Sequence, residues 1–405
     1  MDDPANHRSR TPALIVGNPS TTSLGAIRGL GRRGIPVLLV QSTAGGFALH
    51  GSRYVRGHHT VTNWDPERLH DAIRQVLHAV DAKGDIVVLA TSDETLLAYA
   101  AIRDHLPGRL KDRIPPRALL ETLLDKGRFY AALDAFGIAH PRVAPVTADT
   151  GYRELRDRFN TPVFLLKPVD SGSFSRVFRR KLFVIDGEGA FRSCRDRCAA
   201  AGLTMVAQER VAGSENALIC FHSGGHGPRA LAAFRKCRQL PSDHGTGTFI
   251  EPHPFPELTA TATRVLDALA LEGIGELEFM RDPYSGQWKL IEINPRSITY
   301  NRLAAAAGLD MEYRYYRDAL GLSINPAEDA SMGALRPWMD GFKEATYWIE
   351  PDLRRSVTVR TLLAGLARRP MHGHFALDDL RPFLSRVGAE MTGFWLSRRR
   401  KGPKP

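Results

Sequence analysis

The chain has 405 residues, 43% hydrophobic and 24% charged, with 36 Gly and 26 Pro. At about 100–200 residues per domain that length suggests two to four domains with a sizeable core, and the composition excludes collagen, coiled coil and extended disorder. The net charge of +11 favours anionic partners such as nucleotides or phosphorylated metabolites.

Residues 13–125 read as alternating strands and helices. Strands are expected over 13–18, 36–41 and 85–93, a helix after the first, and an amphipathic helix over 66–80. Such alternation with short links predicts a parallel sheet covered on both faces. The turn Gly17–Gly25 (GNPSTTSLG) lacks the G-x-G-x-x-G fingerprint of dinucleotide sites, and Pro19 removes one donor. It is expected to be a tight turn feeding a helix and touching a substrate. From about Pro116 the texture changes. A helical stretch runs to a stop at Gly137, followed by strand-like segments at 162–168, 177–185, 204–211, 215–223 and 229–240. Helices are expected over 190–201 and 256–270. The cysteines (Cys194, Cys198, Cys220, Cys237) are too sparse for a disulfide framework and lack zinc-site spacing.

The densest signal is GELEFMRDPYSGQWKLIEINPR, residues 275–296. Both arms alternate in the strand period, and DPYSG joins them as a turn. A hairpin centred on Ser285 sets Glu278 opposite Glu292, with Asn294 on the same face, while Leu277, Phe279, Ile291 and Ile293 take the other. Opposed carboxylates repel, so something positive must lie between them. Two carboxylates and an amide oxygen form a hard oxygen set suited to Mg²⁺. Arg296 and Arg302 follow closely, placed to meet phosphate or substrate charge. Lys167 closes the apolar strand PVFLLKP, an awkward place for a cation unless an anion meets it. With Lys126 and the acidic hairpin it makes an ATP–Mg²⁺ clamp.

The order Lys126, Lys167-Pro168, Gln208-Glu209-Arg210-Val211, Arg235-Lys236, Glu278, Glu292-Ile293-Asn294-Pro295-Arg296 resembles the ATP-grasp superfamily. More narrowly it resembles the carboxylate–amine ligases of D-aspartate-ligase type, over roughly residues 11–325. The resemblance implies an α/β plus α+β chain in four parts. These are a Rossmann-like pre-ATP-grasp domain (11–115), a small ATP-grasp subdomain (116–205), a large subdomain with the metal site (206–325), and a basic, partly helical carboxy-terminal region (326–405). It implies that Lys126, Lys167 and Lys236 serve the nucleotide, that Gln208 and the backbone of Glu209 and Val211 read adenine, and that Glu215 bonds the ribose. Glu278, Glu292 and Asn294 would hold Mg²⁺, with Mn²⁺ as an alternative ion. Arg235 or Arg296 would stabilise charge on an acyl phosphate formed from ATP and a carboxylate, which an amine then attacks. One departure stands out: the stretch after Lys167, VDSGSFSR, has a single glycine, so Ser171, Ser173 and Ser175, or Lys181, are expected to replace backbone donors to phosphate.

The implied partners are small carboxylate and amine substrates of anionic character, and the implied assembly is a homodimer. No patch interleaves basic and aromatic residues over a sheet, which argues against nucleic acid. The opening MDDPANHRSRT has no apolar leader stretch, so a cytoplasmic protein is expected. From Pro326 onward 14 Lys/Arg stand against 9 Asp/Glu, and VRTLLAGLARR is a basic amphipathic helix. Packing on the body is the plain reading of this tail, and membrane-surface contact is the alternative. Two other functions stay open: a nucleotide-binding protein of the same fold without ligase activity, and another phosphoryl- or adenylyl-transferring enzyme.

Overall fold

The computed structural model describes residues 11–43, 47–80, 84–169, 171–178, 180–211, 215–224, 229–241, 245–324, 335–349 and 357–400. Its first sheet is parallel and five-stranded: β1 (Ala13–Gly17), β2 (Val37–Ser42), β3 (Val55–Val61), β4 (Ile86–Ala90) and β5 (Leu110–Lys111), in the order β3-β2-β1-β4-β5. Buried on both faces, β1, β2 and β4 need apolar residues at nearly every position. Ala13 and Ile15 pack towards helix Thr21–Arg32, while Leu14 and Val16 pack towards helices Pro66–Ala79 and Asp93–Ile102. The edge strand β3, VRGHHTV, was not expected, because its half-exposed alternation leaves almost no apolar run to read.

The helical stretch 116–137 is two helices, Arg117–Leu124 and Lys126–Ala135. Asp125 breaks the run in an extended conformation and caps the second helix, accepting from the Arg128 N–H at 2.9 Å. That break brings Lys126 to a helix start.

A second sheet holds β6 (Val143–Val146), β7 (Phe164–Pro168), β8 (Phe183–Ile185) and β9 (Met205–Glu209), in the order β6-β9-β7-β8. With helices Tyr152–Phe159 and Glu188–Ala200 it encloses its own core. The expected strand over 177–185 is replaced by helix Ser171–Phe178 and the short β8. Phe174 and Phe178, one helical turn apart, have tilted rings with centroids 4.9 Å apart and meet Phe183 edge-on, so aromatic packing overrides the β-type composition.

The third sheet joins β10 (Asn216–Ser223), β11 (Ala230–Leu240), β12 (Thr246–Pro252), β13 (Gly273–Arg281), β14 (Trp288–Asn294), β15 (Trp338–Met339) and β16 (Met371–His372), in the order β14-β13-β10-β11-β12-β15-β16. One face packs on helices 117–135 and Pro256–Ala268. Cys220, Phe234, Ile250, Trp338 and Met371 share a core with the first sheet and with helices Asn301–Ala306 and Met311–Ala319. These units differ from the boundaries drawn on the sequence. The small sheet runs on through Glu209, helices 117–135 pack on the large sheet, and residues 338–339 and 371–372 extend that sheet. Among the described residues no helix is long and apolar enough to cross a membrane.

Candidate active site

Where the three sheets meet lies a cleft of about 910 Å³. Among the described residues, nine Lys/Arg and five Asp/Glu line it, so it favours an anionic ligand. At its centre is the hairpin β13–β14. Glu278 pairs with Glu292 and Glu276 with Asn294, as spacing about Ser285 predicts for the first pair. Each of the opposed carboxylates carries a lysine. Lys126 Nζ donates to Glu292 Oε1 at 2.6 Å, and Lys236 Nζ donates to Glu278 Oε1. Burial opposes ionisation of Glu292, yet Lys126, Lys181 and Lys167 outweigh it and hold the carboxyl well below its ordinary range.

Lys167 faces the cleft beside Leu165 because the alternate residues Phe164 and Leu166 point into the core of the small sheet. Burial and the charge of Lys126 bring its ammonium down to about 8, with Glu292 and Glu278 pulling the other way. Lys181 lies in the same cleft, donating to Thr246 Oγ1 at 3.0 Å, and burial lowers its pKa too. Four lysines from four separate segments thus converge on one acidic pair.

A third carboxylate belongs to the group. Glu276 is buried and accepts from Tyr300 Oη and from Asn294 Nδ2, the latter at 3.0 Å. Burial and the charge of Glu278 raise its pKa, against hydrogen bonds from Tyr300 and Asn294. The strand period, two residues back from Glu278, was the signal that marks it. Asn294 Oδ1 accepts from Arg296 Nη2 at 3.0 Å, and Arg296 Nε donates to Asp93 at 2.6 Å. Burial opposes the charge of Arg296, but Asp93 restores it and raises the pKa. Asp93 opens helix 93–102, so the first sheet delivers it to the site, next to the turn at Asn18–Thr22 that also lines the cleft.

A one-residue irregularity follows Glu278: Phe279 pairs with Leu290, not with Ile291. Phe279, Leu290, Leu277 and Ile293 therefore fill the core, whereas Ile291, expected on that face, lines the cleft. Leu165 and Val184 of the small sheet and Met280 and Leu218 of the large one line the same cleft. Gln208, Arg210 and Val211 form the adjoining edge. Gln208 Oε1 accepts from Tyr130 Oη at 2.8 Å. The Glu209 side chain is taken by Arg142 (3.2 Å) and Lys289 (3.1 Å), and its N–H donates to Arg142 O.

Arg235, Glu215 and Arg302 are expected at the site but do not line the cleft, and Arg302 stands instead in the field of Arg32, Arg28 and Asp378. Arg235 precedes Lys236 in a strand, so their side chains take opposite faces. Lys236 enters the cleft, while Arg235 meets His253 Nε2 at 2.6 Å, Glu215 at 3.4 Å and Glu251 at 3.7 Å. Glu215 stands on that outer side too, bound to Arg235 and Arg281. Its neighbour Asn216 lines the cleft instead, with a buried Oδ1 that has no hydrogen-bond partner among the described residues. Ser173 lies in helix 171–178, but its side chain is outside the described residues.

Among the described residues no three His, Cys, Asp or Glu side chains form a ready metal cluster. The hairpin still fits a hard divalent ion bound jointly with phosphate. Two carboxylates oppose each other in register beside an amide oxygen, and such an ion needs only a few protein oxygens.

Residues 246–326 match the family described as carbamoyl-phosphate synthase L chain, ATP binding domain. The chain is 24% identical to D-aspartate ligase of Enterococcus faecium (strain Aus0004) over 207 residues, 48% of this chain and 49% of that protein. It thus spans about half the length of the curated relative it matches. Among solved structures, biotin carboxylase from Campylobacter jejuni, in complex with β,γ-ATP, aligns over 82% of this chain and 76% of its own, with a TM-score of 0.63 and 17% identity. L-amino acid ligase from Bacillus licheniformis aligns over 81% and 79%, with a TM-score of 0.58 and 15% identity.

Proposed function

This chain has the ATP-grasp fold, and we propose that it is an ATP- and Mg²⁺-dependent ligase joining a carboxylate, an amino acid in our reading, to an amine. The observation that carries the reading is the in-register pair Glu278–Glu292, each carboxylate held by a lysine, inside a cationic cleft. The slot formed by Leu165, Val184, Met280 and Ile291 suits a purine ring, with the edge at Gln208–Val211 reading it. Asn216 takes the ribose role that the resemblance implied for Glu215. Lys126, Lys167, Lys181 and Lys236 hold the phosphates as point charges.

Glu278, Glu292 and Asn294 would hold Mg²⁺, which when bound supplies neutralisation of phosphate charge. Arg296 faces the transferring phosphoryl group, and Asp93 keeps the guanidinium aimed. A carboxylate oxygen of the acid attacks the γ-phosphorus, the bond to the β-phosphate oxygen breaks, and ADP leaves. The amine then attacks the acyl carbon and phosphate departs. Phosphorylation is needed because a carboxylate is unreactive towards amines at neutral pH. Positioning and charge neutralisation are the catalytic terms, and no nucleophilic side chain is required.

The test is to supply ATP, Mg²⁺, hydroxylamine and pools of L- and D-amino acids, then quantify hydroxamate and nucleotide products. ADP, phosphate and a hydroxamate that depends on one pool are expected. AMP with pyrophosphate would replace this reading with adenylation.

A further inference from the structure

Part of the cleft wall comes from the carboxy-terminal segment. Asp340, Lys343, His374 and Arg386 line it together with Phe47 of the first sheet's domain. Lys343 Nζ stands 3.5 Å from Asp340 Oδ2, and His374 Nδ1 stands 3.8 Å from Asp340 Oδ1. The Arg386 guanidinium lies over the rings of Phe47 (5.3 Å) and Phe342 (5.4 Å), with Glu390 pairing it from its own helix. The His374 ring meets the same two aromatics edge-on. His374 is only 6% exposed, yet its Nδ1 has no hydrogen-bond partner among the described residues, a costly state for a buried polar atom.

The segment is tied to the first sheet's domain by a set of hydrogen bonds. Arg28 Nε donates to Asp379 at 2.9 Å, and its Nη1 donates to the His374 carbonyl at 2.9 Å. Ser52 Oγ and the Arg53 N–H also donate to Asp379, at 2.8 and 3.0 Å, and Arg32 and Tyr54 bind Asp378. A buried ion pair of this kind adds little net stability over an apolar pair of the same shape. It does fix position, and the position it fixes is that of His374.

We infer that this niche is a subsite for the charged head of an amino acid, with the ammonium against Asp340 and His374 Nδ1 and a carboxylate other than the one that attacks the γ-phosphorus against Lys343 and Arg386. One acid and two bases side by side suit a ligand that carries both charges. A simple phosphate would find Asp340 repulsive. A neutral imidazole accepts from an ammonium at Nδ1, and burial keeps His374 neutral well below its ordinary range despite Asp340. The carboxy-terminal region is therefore part of the substrate site and not an appended tail. The inference rests on the ligase reading, since it names where that reaction's amino acid sits.

The test is calorimetry on the full chain with ATP, Mg²⁺ and the same amino-acid pools, comparing wild type with Asp340→Asn and Arg386→Gln. Asparagine keeps the helix cap that Asp340 provides to Lys343 N–H. We expect amino-acid affinity to fall about tenfold or more in each variant, with ATP affinity within about twofold. Methyl esters and N-acetyl derivatives of the amino acid that binds should bind as weakly to wild type as the parent binds to the variants. Unchanged amino-acid affinity in both variants overturns the subsite and leaves the ligase reading standing. So does a wild type that binds ATP and forms hydroxamate only from acids without an amino group. Loss of ATP binding by the wild type would overturn the ligase reading itself.

Discussion

Two parts of the cleft wall are built in different ways. At the hairpin the acidic pair comes from two strands whose turn fixes the register, so Glu278 and Glu292 meet through local sequence alone. Around Asp340, by contrast, Phe47 meets Asp340, His374 and Arg386 of a segment almost 300 residues further along the chain, joined through the buried Arg28–Asp379 contact. The first construction is rigid by backbone hydrogen bonding. The second is rigid only while a charge network holds. The contrast teaches that one part should tolerate changes in tertiary contacts while the other fails with a single ion pair.

The largest expected effect is at the hairpin. Glu292→Gln keeps the strand and removes one anionic oxygen donor, and turnover measured as ADP release should fall about 100-fold or more. Wild-type turnover in that variant would remove the metal assignment. Next comes the wall around Asp340. Arg28→Ala leaves Asp379 buried without its charged partner and should cost about 3–5 kcal/mol in denaturant unfolding, provided the segment stays docked. A loss below about 1 kcal/mol would show that the segment releases freely, and would erase the contrast between the two parts.

Lys167 sharpens the comparison through pH. Its ammonium, brought to about 8 by burial and Lys126, is charged below that pH and neutral above it. Phosphate favours the charged form, so ATP affinity should be level below pH 8 and decline above it, with proton uptake on binding in calorimetry. Lys167→Arg should remove the decline, and Lys167→Ala should weaken ATP binding about tenfold at pH 7. A flat profile in the wild type would take Lys167 out of the clamp. The smallest effect belongs to Arg235. Arg235→Ala sits on the outer face with Glu251 and His253, so ATP affinity should change less than about twofold.

The sequence was legible where periodicity governs. Alternation and a turn placed Glu278, Glu292 and Asn294, and apolar runs placed β1, β2 and β4. It was less legible where one residue shifts a face. The irregularity after Glu278 moved Ile291 into the cleft, and adjacency in a strand should have separated Arg235 from Lys236 and Glu215 from Asn216. The same period should have added Glu276. Helix 171–178 was hidden because its serines and lone glycine read as loop, while its order comes from aromatic contacts with Phe183. Long-range pairing such as Arg28 with Asp379 leaves no local signature, so the wall around Asp340 could not be read in advance.

The most direct test of the proposed chemistry uses the acid found by hydroxamate trapping, labelled with ¹⁸O in its carboxylate, in a single round of turnover. Attack by that carboxylate on the γ-phosphorus carries one labelled oxygen into the released phosphate, and mass analysis of phosphate should show it. Unlabelled phosphate, or label appearing in AMP, would contradict an acyl-phosphate ligase.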